Sequence, residues 1–205
     1  MDLNQFMQDV HQNAKAHGWW DETRSAATIR ALFHCELSEA MEAYRGGEPN
    51  HWHQCPHNKL NACEQMNVHD DDAHCEACTP TMRKPEGVCV ELIDFVIRVF
   101  DYLGCVHFVL PDSMDTVERM SKYAMANFQH DEIEDASLLI LPDFVDVIHT
   151  EVALSDVYQN ISYLLDACGL VFAWVEKQGL DPAYLLKEKH EYNKTRPYKH
   201  GGKVC

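Results

Sequence analysis

The chain has few basic residues for its length. Its 205 residues include 17 Lys and Arg against 33 Asp and Glu, which gives a formal net charge of −16. Such an excess of negative charge repels a polyphosphate backbone, so we expect no general binding of nucleic-acid polymers. A small phosphate ester can still bind if divalent cations neutralise the repulsion between it and the protein.

The sequence also lacks an uninterrupted apolar run of the length that crosses a membrane. The two longest candidates, 94–110 and 163–175, contain charged residues and fall short of about 18 clean apolar positions. The first ten residues have no basic group ahead of an apolar stretch, so no secretory signal is expected. We therefore expect a cytoplasmic protein, without a membrane partner, whose nine cysteines are buried thiols or metal ligands.

Alternating β-branched runs bounded by turns are scarce, whereas apolar residues recur at helical spacing along most of the chain. The predicted fold class is all-α, a helical bundle in a single domain over residues 1–205. Caps, glycines and prolines mark the helix ends. They predict helices over about 2–17, from Asp21 or Thr23 to 46, 88–104, from Ser155 to 179, and 182–194.

Two stretches look inserted into this helical framework. Residues 46–85 are rich in His, Cys, Asn and Asp but poor in aliphatic side chains, so they cannot build an apolar core of their own. Residues 107–156 are predicted to be an additional helical segment, with a surface helix over about 117–128 and an acidic loop after it. A faint similarity between residues 34–36 and 149–151, each ahead of a long apolar helix, raises the hypothesis of an ancient duplication.

Two carboxylate pairs stand out in the second and third predicted helices. Glu36 and Glu39 are three residues apart, as are Glu91 and Asp94, so each pair lies on one face of its helix. Apolar residues flank both pairs, and buried carboxylates are unfavourable unless a cation compensates them. Oxygen donors on facing helices suit Mg²⁺ or Mn²⁺. The alternative is that these acids form solvated stripes, as helical Glu residues often do.

The C-terminal stretch is basic against this acidic background. Lys189, Asn193 and Arg196 lie in a segment dense in Lys and Arg, which is typical either of a phosphate clamp or of a disordered basic tail. Trp19 and Trp20 stand at a helix boundary near the other end of the chain. Such tryptophans are packing anchors, or provide a ring that stacks on a nucleobase.

Together these blocks resemble the MazG-like, all-α nucleoside triphosphate pyrophosphohydrolases. The matching segments cover roughly half of the chain, and they are residues 17–20, the helix with Glu36 and Glu39, residues 84–98, and residues 189–203. The resemblance implies a MazG-like bundle that binds Mg²⁺ through Glu36, Glu39, Glu91 and Asp94. It further implies that Lys189, Asn193 and Arg196 lie near the phosphates or sugar of a nucleoside triphosphate, and that Trp19 and Trp20 lie near its base.

The implied reaction converts a (d)NTP to a (d)NMP and pyrophosphate. In it, two Mg²⁺ ions polarise the α-phosphorus and lower the pKa of a bound water, which Glu36 or Glu39 orients or deprotonates. Members of the family also self-associate, so a homo-oligomer, most simply a dimer, is expected. The chain departs from the family at Cys35, where a further Glu often stands, and we expect a packed thiol there.

The stretch 46–85 carries a candidate zinc site, whose predicted ligands are Cys55, Cys63, Cys75 and Cys78. The last two have the spacing of half a tetrahedral site, whereas the other half is either Cys55 with His57 or Cys55 with Cys63. A structural zinc, a reduced loose loop and disulfides all remain open for this stretch. A non-catalytic helical nucleotide or zinc sensor is therefore the alternative to the enzyme, and a purely structural helical protein is the third hypothesis.

Overall fold

A computed structural model describes residues 1–54, 83–128, 133, 135–155 and 160–202 of the chain. Within these ranges the protein is mostly helical, which confirms the predicted all-α class. The helices are α1 (Leu3–Ala16), α2 (Ala26–Arg45), α3 (Val88–Cys105), α4 (Val117–Asn127), α5 (Leu141–Leu154), α6 (Ser162–Lys177), α7 (Pro182–Lys194) and the short α8 (Lys199–Gly202). A 3-10 turn, Ala136–Leu138, precedes α5, and there are two short strands, β1 (Trp52–Gln54) and β2 (Lys84–Glu86).

The predicted start of the second helix was wrong. α2 begins at Ala26, and not near Asp21 or Thr23. The reason is the side chain of Ser25, which accepts a hydrogen bond from the backbone N–H of Thr28 and so caps the helix at that point.

The predicted helix start at Ser155 was also wrong. This residue ends α5, and its hydroxyl donates to the backbone oxygen of Val152 in the last turn of that helix. α6 begins only at Ser162. Because serine stabilises helix ends of both kinds through local hydrogen bonds, its position alone did not reveal which helix it belongs to.

α3 forms the centre of the fold. Its sequence is apolar around most of its circumference, and residues such as Leu92, Val96 and Phe100 are fully buried. The helix packs against α1, α2, α6 and α7, and its burial on several sides explains why it forms the core of the protein. No helix among the described residues is long and apolar enough to cross a membrane.

The first six helices pack as two units of three with the same pattern of contacts. α3 packs on α1 and α2, and α6 packs on α4 and α5, while α2 meets α5 and α3 meets α6. Between the units, the rings of His34 and His149 stack with their centroids 5.0 Å apart. Phe100 and Phe172 meet edge to face at 6.4 Å. The duplication of a three-helix unit stays a hypothesis, and these contacts describe how the two units meet.

Two glycines allow the closest helix approaches, one in each unit. A Cβ atom on Gly104 of α3 would lie 2.6 Å from the Cβ atom of His11 in α1. A Cβ atom on Gly169 of α6 would lie 2.5 Å from the backbone oxygen of Met120 in α4. Both distances are far below van der Waals contact, so any larger residue would push the helices apart.

The additional segment predicted over 107–156 contains α4, the 3-10 turn and α5. α4 matches the helix predicted from residue 117, but it does more than cover the surface. Met120 and Ala124 are buried where α4 packs against α6. Gly169 of α6 has no side chain and so leaves room for this contact. The segment therefore supplies one complete face of the core.

The stretch 46–85 begins and ends in a strand pair that the sequence did not predict. β1 and β2 are antiparallel, with Trp52 opposite Glu86 and Gln54 opposite Lys84. Three-residue strands are too short to show the alternation that identifies a strand in a sequence. The predicted zinc ligands Cys55, Cys63, Cys75 and Cys78 lie outside the described residues.

A candidate divalent-cation site in a polar pocket

Residues of α1, α2, α3, α7 and β2 surround a pocket of about 290 Å³. The predicted site residues that line it are Trp19, Glu36, Glu39, Glu91, Asp94, Asn193 and Arg196. Lys84, Arg98 and His190 also line it, although they were not predicted as site residues. The fold therefore brings sequence blocks from both ends of the chain to one cavity.

Three of the four predicted metal ligands converge at one wall of this pocket. Glu36, Glu91 and Asp94 each offer a carboxylate oxygen, and these oxygens lie within 4.8 Å of one another. Glu36 and Glu91 are buried, and Asp94 is half-buried. Glu39 lines the same pocket but is exposed and lies outside this close group. The i,i+3 spacing on α3 and the crossing of α2 over it bring the three acids together.

Arg98 neutralises the first of these acids. Its Nε and Nη2 atoms donate to Oε1 of Glu36 at 3.1 and 2.6 Å. Burial alone would lower the pKa of Arg98, but the charge of Glu36 and these hydrogen bonds raise it. Both bonds go to the same oxygen, so Arg98 does not occupy Oε2 of Glu36.

Lys189 brings a second cation to the acid group. Its Nζ atom lies 2.8 Å from Oδ2 of Asp94 and donates to the backbone oxygen of Pro85 at 3.1 Å. The residue is only 1% exposed. Burial would lower the pKa of Lys189, but the charges of Asp94 and Glu91 raise it. Lys189 thus contacts the acids directly, whereas Asn193 and Arg196 line the pocket.

Glu91 has a strongly raised pKa. Burial and the negative charge of Asp94 raise it to about 8, and a hydrogen bond with Glu86 acts in the same direction, against the opposing charge of Lys189. The raised pKa favours the protonated form of Glu91, and a divalent cation would displace this proton on binding. Carboxyl groups perturbed in this way are concentrated at functional sites.

Two residues of α7 that line the pocket each have a buried polar atom without a hydrogen-bond partner among the described residues. The atoms are Nε2 of His190, a residue that is 4% exposed, and Oδ1 of Asn193. Burial and the charge of Lys194 lower the pKa of His190, so its imidazole is neutral at pH 7. Buried polar atoms without partners are rare in proteins, and two of them lie on the helix that borders this pocket.

The segment after α7 is fastened to the end of α1, although the two are 179 positions apart. Nε2 of His17 donates to the backbone oxygen of Arg196 at 2.8 Å, and the N–H of Lys199 donates to the backbone oxygen of His17 at 2.9 Å. Gly18 has a φ of +77°, and a Cβ atom on it would lie 2.2 Å from the Tyr198 ring. The positive φ therefore favours glycine here, and the exposed Tyr198 ring packs directly over it.

The two predicted base-binding tryptophans occupy different places. Trp19 is 7% exposed and lines the pocket. Trp20 lines a smaller neighbouring pocket, and its Nε1 donates to Oδ1 of Asp101 at 2.8 Å. The same oxygen of Asp101 lies 2.9 Å from Nδ1 of His11, so this buried acid has two partners within the fold. Trp19 is thus the tryptophan placed to contact a ligand.

The expectation of a packed thiol at Cys35 was wrong. Cys35 is exposed and lines the pocket. It lies one turn before Glu39, and residues four apart share a helical face, which explains why both are exposed at the cavity.

Of the three pocket residues that were not predicted, one could have been inferred from helical spacing and two could not. Arg98 lies four residues after Asp94 on α3, so helical spacing already placed it on the acidic face. Lys84 and His190 gave no such signal, because only the packing of β2 and α7 on α3 brings them to the pocket.

No family model, curated protein or solved structure matches this chain. The resemblance to the MazG-like enzymes therefore rests on the sequence blocks alone. The function has to be argued from the geometry and chemistry of the pocket.

Proposed function

We propose that the protein is a Mg²⁺-dependent nucleoside triphosphate pyrophosphohydrolase, which converts a (d)NTP to a (d)NMP and pyrophosphate. The observation that carries the proposal is the convergence of Glu36, Glu91 and Asp94, whose carboxylate oxygens lie within 4.8 Å at the wall of the pocket. Such a set of hard oxygen donors favours Mg²⁺ or Mn²⁺. The sequence resemblance supplies the reaction class.

The donor set has the capacity for a divalent cation. Arg98 occupies one oxygen of Glu36, and Lys189 occupies one oxygen of Asp94. Each of these carboxylates thus has a second oxygen that these cations do not occupy, and Glu91 becomes a ligand once its proton is displaced. The two basic side chains also keep the acids close together in the absence of metal, because they reduce the repulsion between them.

Groups suited to the rest of a nucleotide line the same pocket. The guanidinium of Arg196 can bind a phosphate in a bidentate manner. His190 and Asn193 line the pocket as well, and an amide N–H of Asn193 can donate to a phosphate oxygen or a sugar hydroxyl. Trp19 offers an aromatic surface for the base.

Hydrolysis requires a base for the attacking water. Bound Mg²⁺ supplies charge neutralisation at the α-phosphorus and lowers the pKa of that water. Glu39 is the better placed base, since it is exposed at the pocket and lies outside the close acid group. Glu36 is the alternative, but one of its oxygens is already paired with Arg98. Arg196 is placed to stabilise the departing pyrophosphate.

The test is pyrophosphate release from a panel of NTPs and dNTPs with Mg²⁺ or Mn²⁺. We expect turnover of at least one nucleotide, and a loss of at least about 100-fold in kcat in Glu39→Gln and in Glu91→Gln. Glu118→Gln is the control, because this acid on α4 is exposed and paired only with Lys122. No turnover of any nucleotide by correctly folded protein would overturn the proposal.

Nucleotide binding without pyrophosphate release would instead support the alternative, a non-catalytic nucleotide or zinc sensor. A third outcome, in which Glu91→Gln changes neither activity nor metal affinity, would leave only a structural role for the acid group. Calorimetric titration of Mg²⁺ and of a nucleotide separates these two outcomes.

Homo-oligomer formation, most simply a dimer, is proposed on the resemblance alone. Within one chain, α2 and α3 already pack against α5 and α6. Light scattering of the purified protein measures its molar mass in solution and so shows whether two copies associate.

A further inference from the structure

A second cluster of metal-ligating side chains lies where β1 meets α7. Nε2 of His51 is 2.7 Å from Oε2 of Glu188, and Nε2 of His53 is 3.0 Å from Oε1 of the same carboxylate. The three ligand atoms lie within 4.8 Å of one another. His53 lies in β1 and His51 directly precedes this strand, and the centroids of their rings are 4.8 Å apart.

The chemistry of these donors differs from that of the acid group in the pocket. Two imidazole nitrogens and one carboxylate form a mixed set that suits Zn²⁺ much better than Mg²⁺. Zinc–ligand distances of about 2.0–2.2 Å put the donors of a tetrahedral site a little over 3 Å apart. The observed spacing therefore needs only small shifts, and three protein ligands leave a fourth position for water.

Neighbouring contacts orient the three ligands. The hydroxyl of Tyr184 donates to Oε1 of Glu188 at 2.6 Å, and its ring lies edge to face with His51. The side chains of His51, His53 and Glu188 are 18, 27 and 16% exposed. Partly buried ligands held by an outer hydrogen bond are a general property of protein metal sites.

We propose that His51, His53 and Glu188 bind a zinc ion that links β1 to α7. In the metal-free protein, each imidazole N–H donates to one oxygen of Glu188, and these hydrogen bonds hold the donors close together. Zinc replaces both contacts, and each histidine then carries its proton on Nδ1. The site does not use the cysteines predicted as zinc ligands, and it does not depend on the proposed hydrolase activity.

The position of Glu188 gives this zinc a structural consequence. The next residue on α7 is Lys189, whose Nζ pairs with Asp94 and bonds to the backbone oxygen of Pro85 in β2. A zinc ion at Glu188 would therefore fix the same turn of α7 that brings Lys189 to the acid group. Loss of zinc should loosen both β1 and this turn.

The experiment is the zinc content and zinc affinity of the full-length protein, measured by mass spectrometry of the metal and by competition with a chelator, without nucleotide or Mg²⁺. We expect Glu188→Gln, and separately the double variant His51→Ala/His53→Ala, to lose one equivalent of zinc, with affinity at least about 100-fold weaker. Glu191→Gln is the matched control. It changes an exposed acid of the same helix that pairs with Lys194 and contacts none of the three ligands, so it should keep stoichiometric zinc.

A variant with serine at the four cysteines Cys55, Cys63, Cys75 and Cys78 separates the two zinc hypotheses. We expect it to bind one zinc, and its Co²⁺ form to lack thiolate-to-cobalt absorption. Wild-type zinc content in both ligand variants, or complete loss of zinc in the cysteine variant, would overturn the proposal. Circular dichroism verifies the helical fold of each variant, and Glu188→Gln preserves side-chain volume should the histidine variant unfold.

Discussion

The helix pairs α2–α3 and α5–α6 can be compared position by position, because two contacts relate them. His34 stacks on His149, and Phe100 meets Phe172 edge to face. In a two-fold arrangement, equivalent residues meet each other near the axis. These two contacts therefore align α2 with α5 and α3 with α6.

The alignment shows that both helix pairs contain acids at matching positions. Glu36 of α2 matches Glu151 of α5, and Asp94 of α3 matches Asp166 of α6. Glu91, in contrast, has no acidic counterpart. Both helix pairs thus have an acid at each of these two positions, whereas only the pair α2–α3 has the third acid.

The two pairs differ most in how the acids are compensated. Leu170 of α6 stands at the position that Arg98 has in α3. Burial raises the pKa values of Glu151 and Asp166, and the charge of Asp166 helps to raise that of Glu151 to about 7. Oδ1 of Asp166 is buried without a hydrogen-bond partner among the described residues. The comparison teaches that the counter-cations and the third acid, and not buried acids as such, distinguish the candidate site.

The largest expected difference between the two pairs is in catalysis. Asp94→Asn should lower the rate of pyrophosphate release by at least about 100-fold, because it removes a charge from the proposed metal site. Asp166→Asn should leave this rate unchanged. Equal losses in the two variants would mean that the acids of α5–α6 also serve the reaction, and the comparison would fail.

The next largest difference is in stability. Arg98→Met should lower the free energy of unfolding by about 3 kcal/mol, since Glu36 would remain buried without its partner. Leu170→Met, at the matching position, should lower it by less than about 1.5 kcal/mol, because shape and polarity are nearly conserved. Urea unfolding measures both values. Adding Glu36→Gln to Arg98→Met should restore part of the loss, and no restoration would argue against the ion pair as its cause.

Both units should depend on a close helix approach at a glycine, although the two glycines do not stand at matching positions. Gly104→Ala and Gly169→Ala should each lower the free energy of unfolding by about 2 kcal/mol, because the added methyl group would clash with the facing helix. The same urea measurement applies. A large loss for one glycine and none for the other would show that only one unit depends on close helix approach.

The smallest expected effect is the pH dependence contributed by Glu151. Its folded pKa of about 7 lies above the ordinary value of 4.5, so the folded state holds a proton that the unfolded state releases. The stability due to this group is lost as pH rises from about 4.5 to about 7, and solvent screening keeps it below about 1 kcal/mol. Glu151→Gln should therefore raise the melting temperature at pH 8 but not at pH 4. An equal shift at both pH values would contradict this account.

The acid group was predictable from the sequence because helical spacing is a local property. Glu91 and Asp94 had to share a face of α3, and the apolar residues around Glu36 indicated that its face approaches the core. Helical spacing did not predict that Glu39 lies outside the close acid group. It lies on the same side of α2 as Glu36, but the crossing with α3 brings only Glu36 into the close group.

Features that depend on distant contacts were not predictable. His53 and Glu188 are 135 positions apart, and nothing in either neighbourhood indicates the other. The strands β1 and β2 could not be predicted from the sequence either, because three residues are too few to show an alternating pattern. Trp20 was expected near a base, yet its hydrogen bond to Asp101 depends on how α1 packs against α3.

Gln54 pairs with Lys84, so the two ends of the segment between them lie next to each other and an insertion can be made there. The chain leaves and rejoins the helical body at adjacent residues, so the number of residues between them is uncoupled from the position of α3. Lengthening a loop between fixed ends costs little, since the entropy of closure grows only with the logarithm of its length. A two-residue Asn-Gly turn could close the hairpin between Gln54 and Lys84, and a foreign domain could be inserted at the same place.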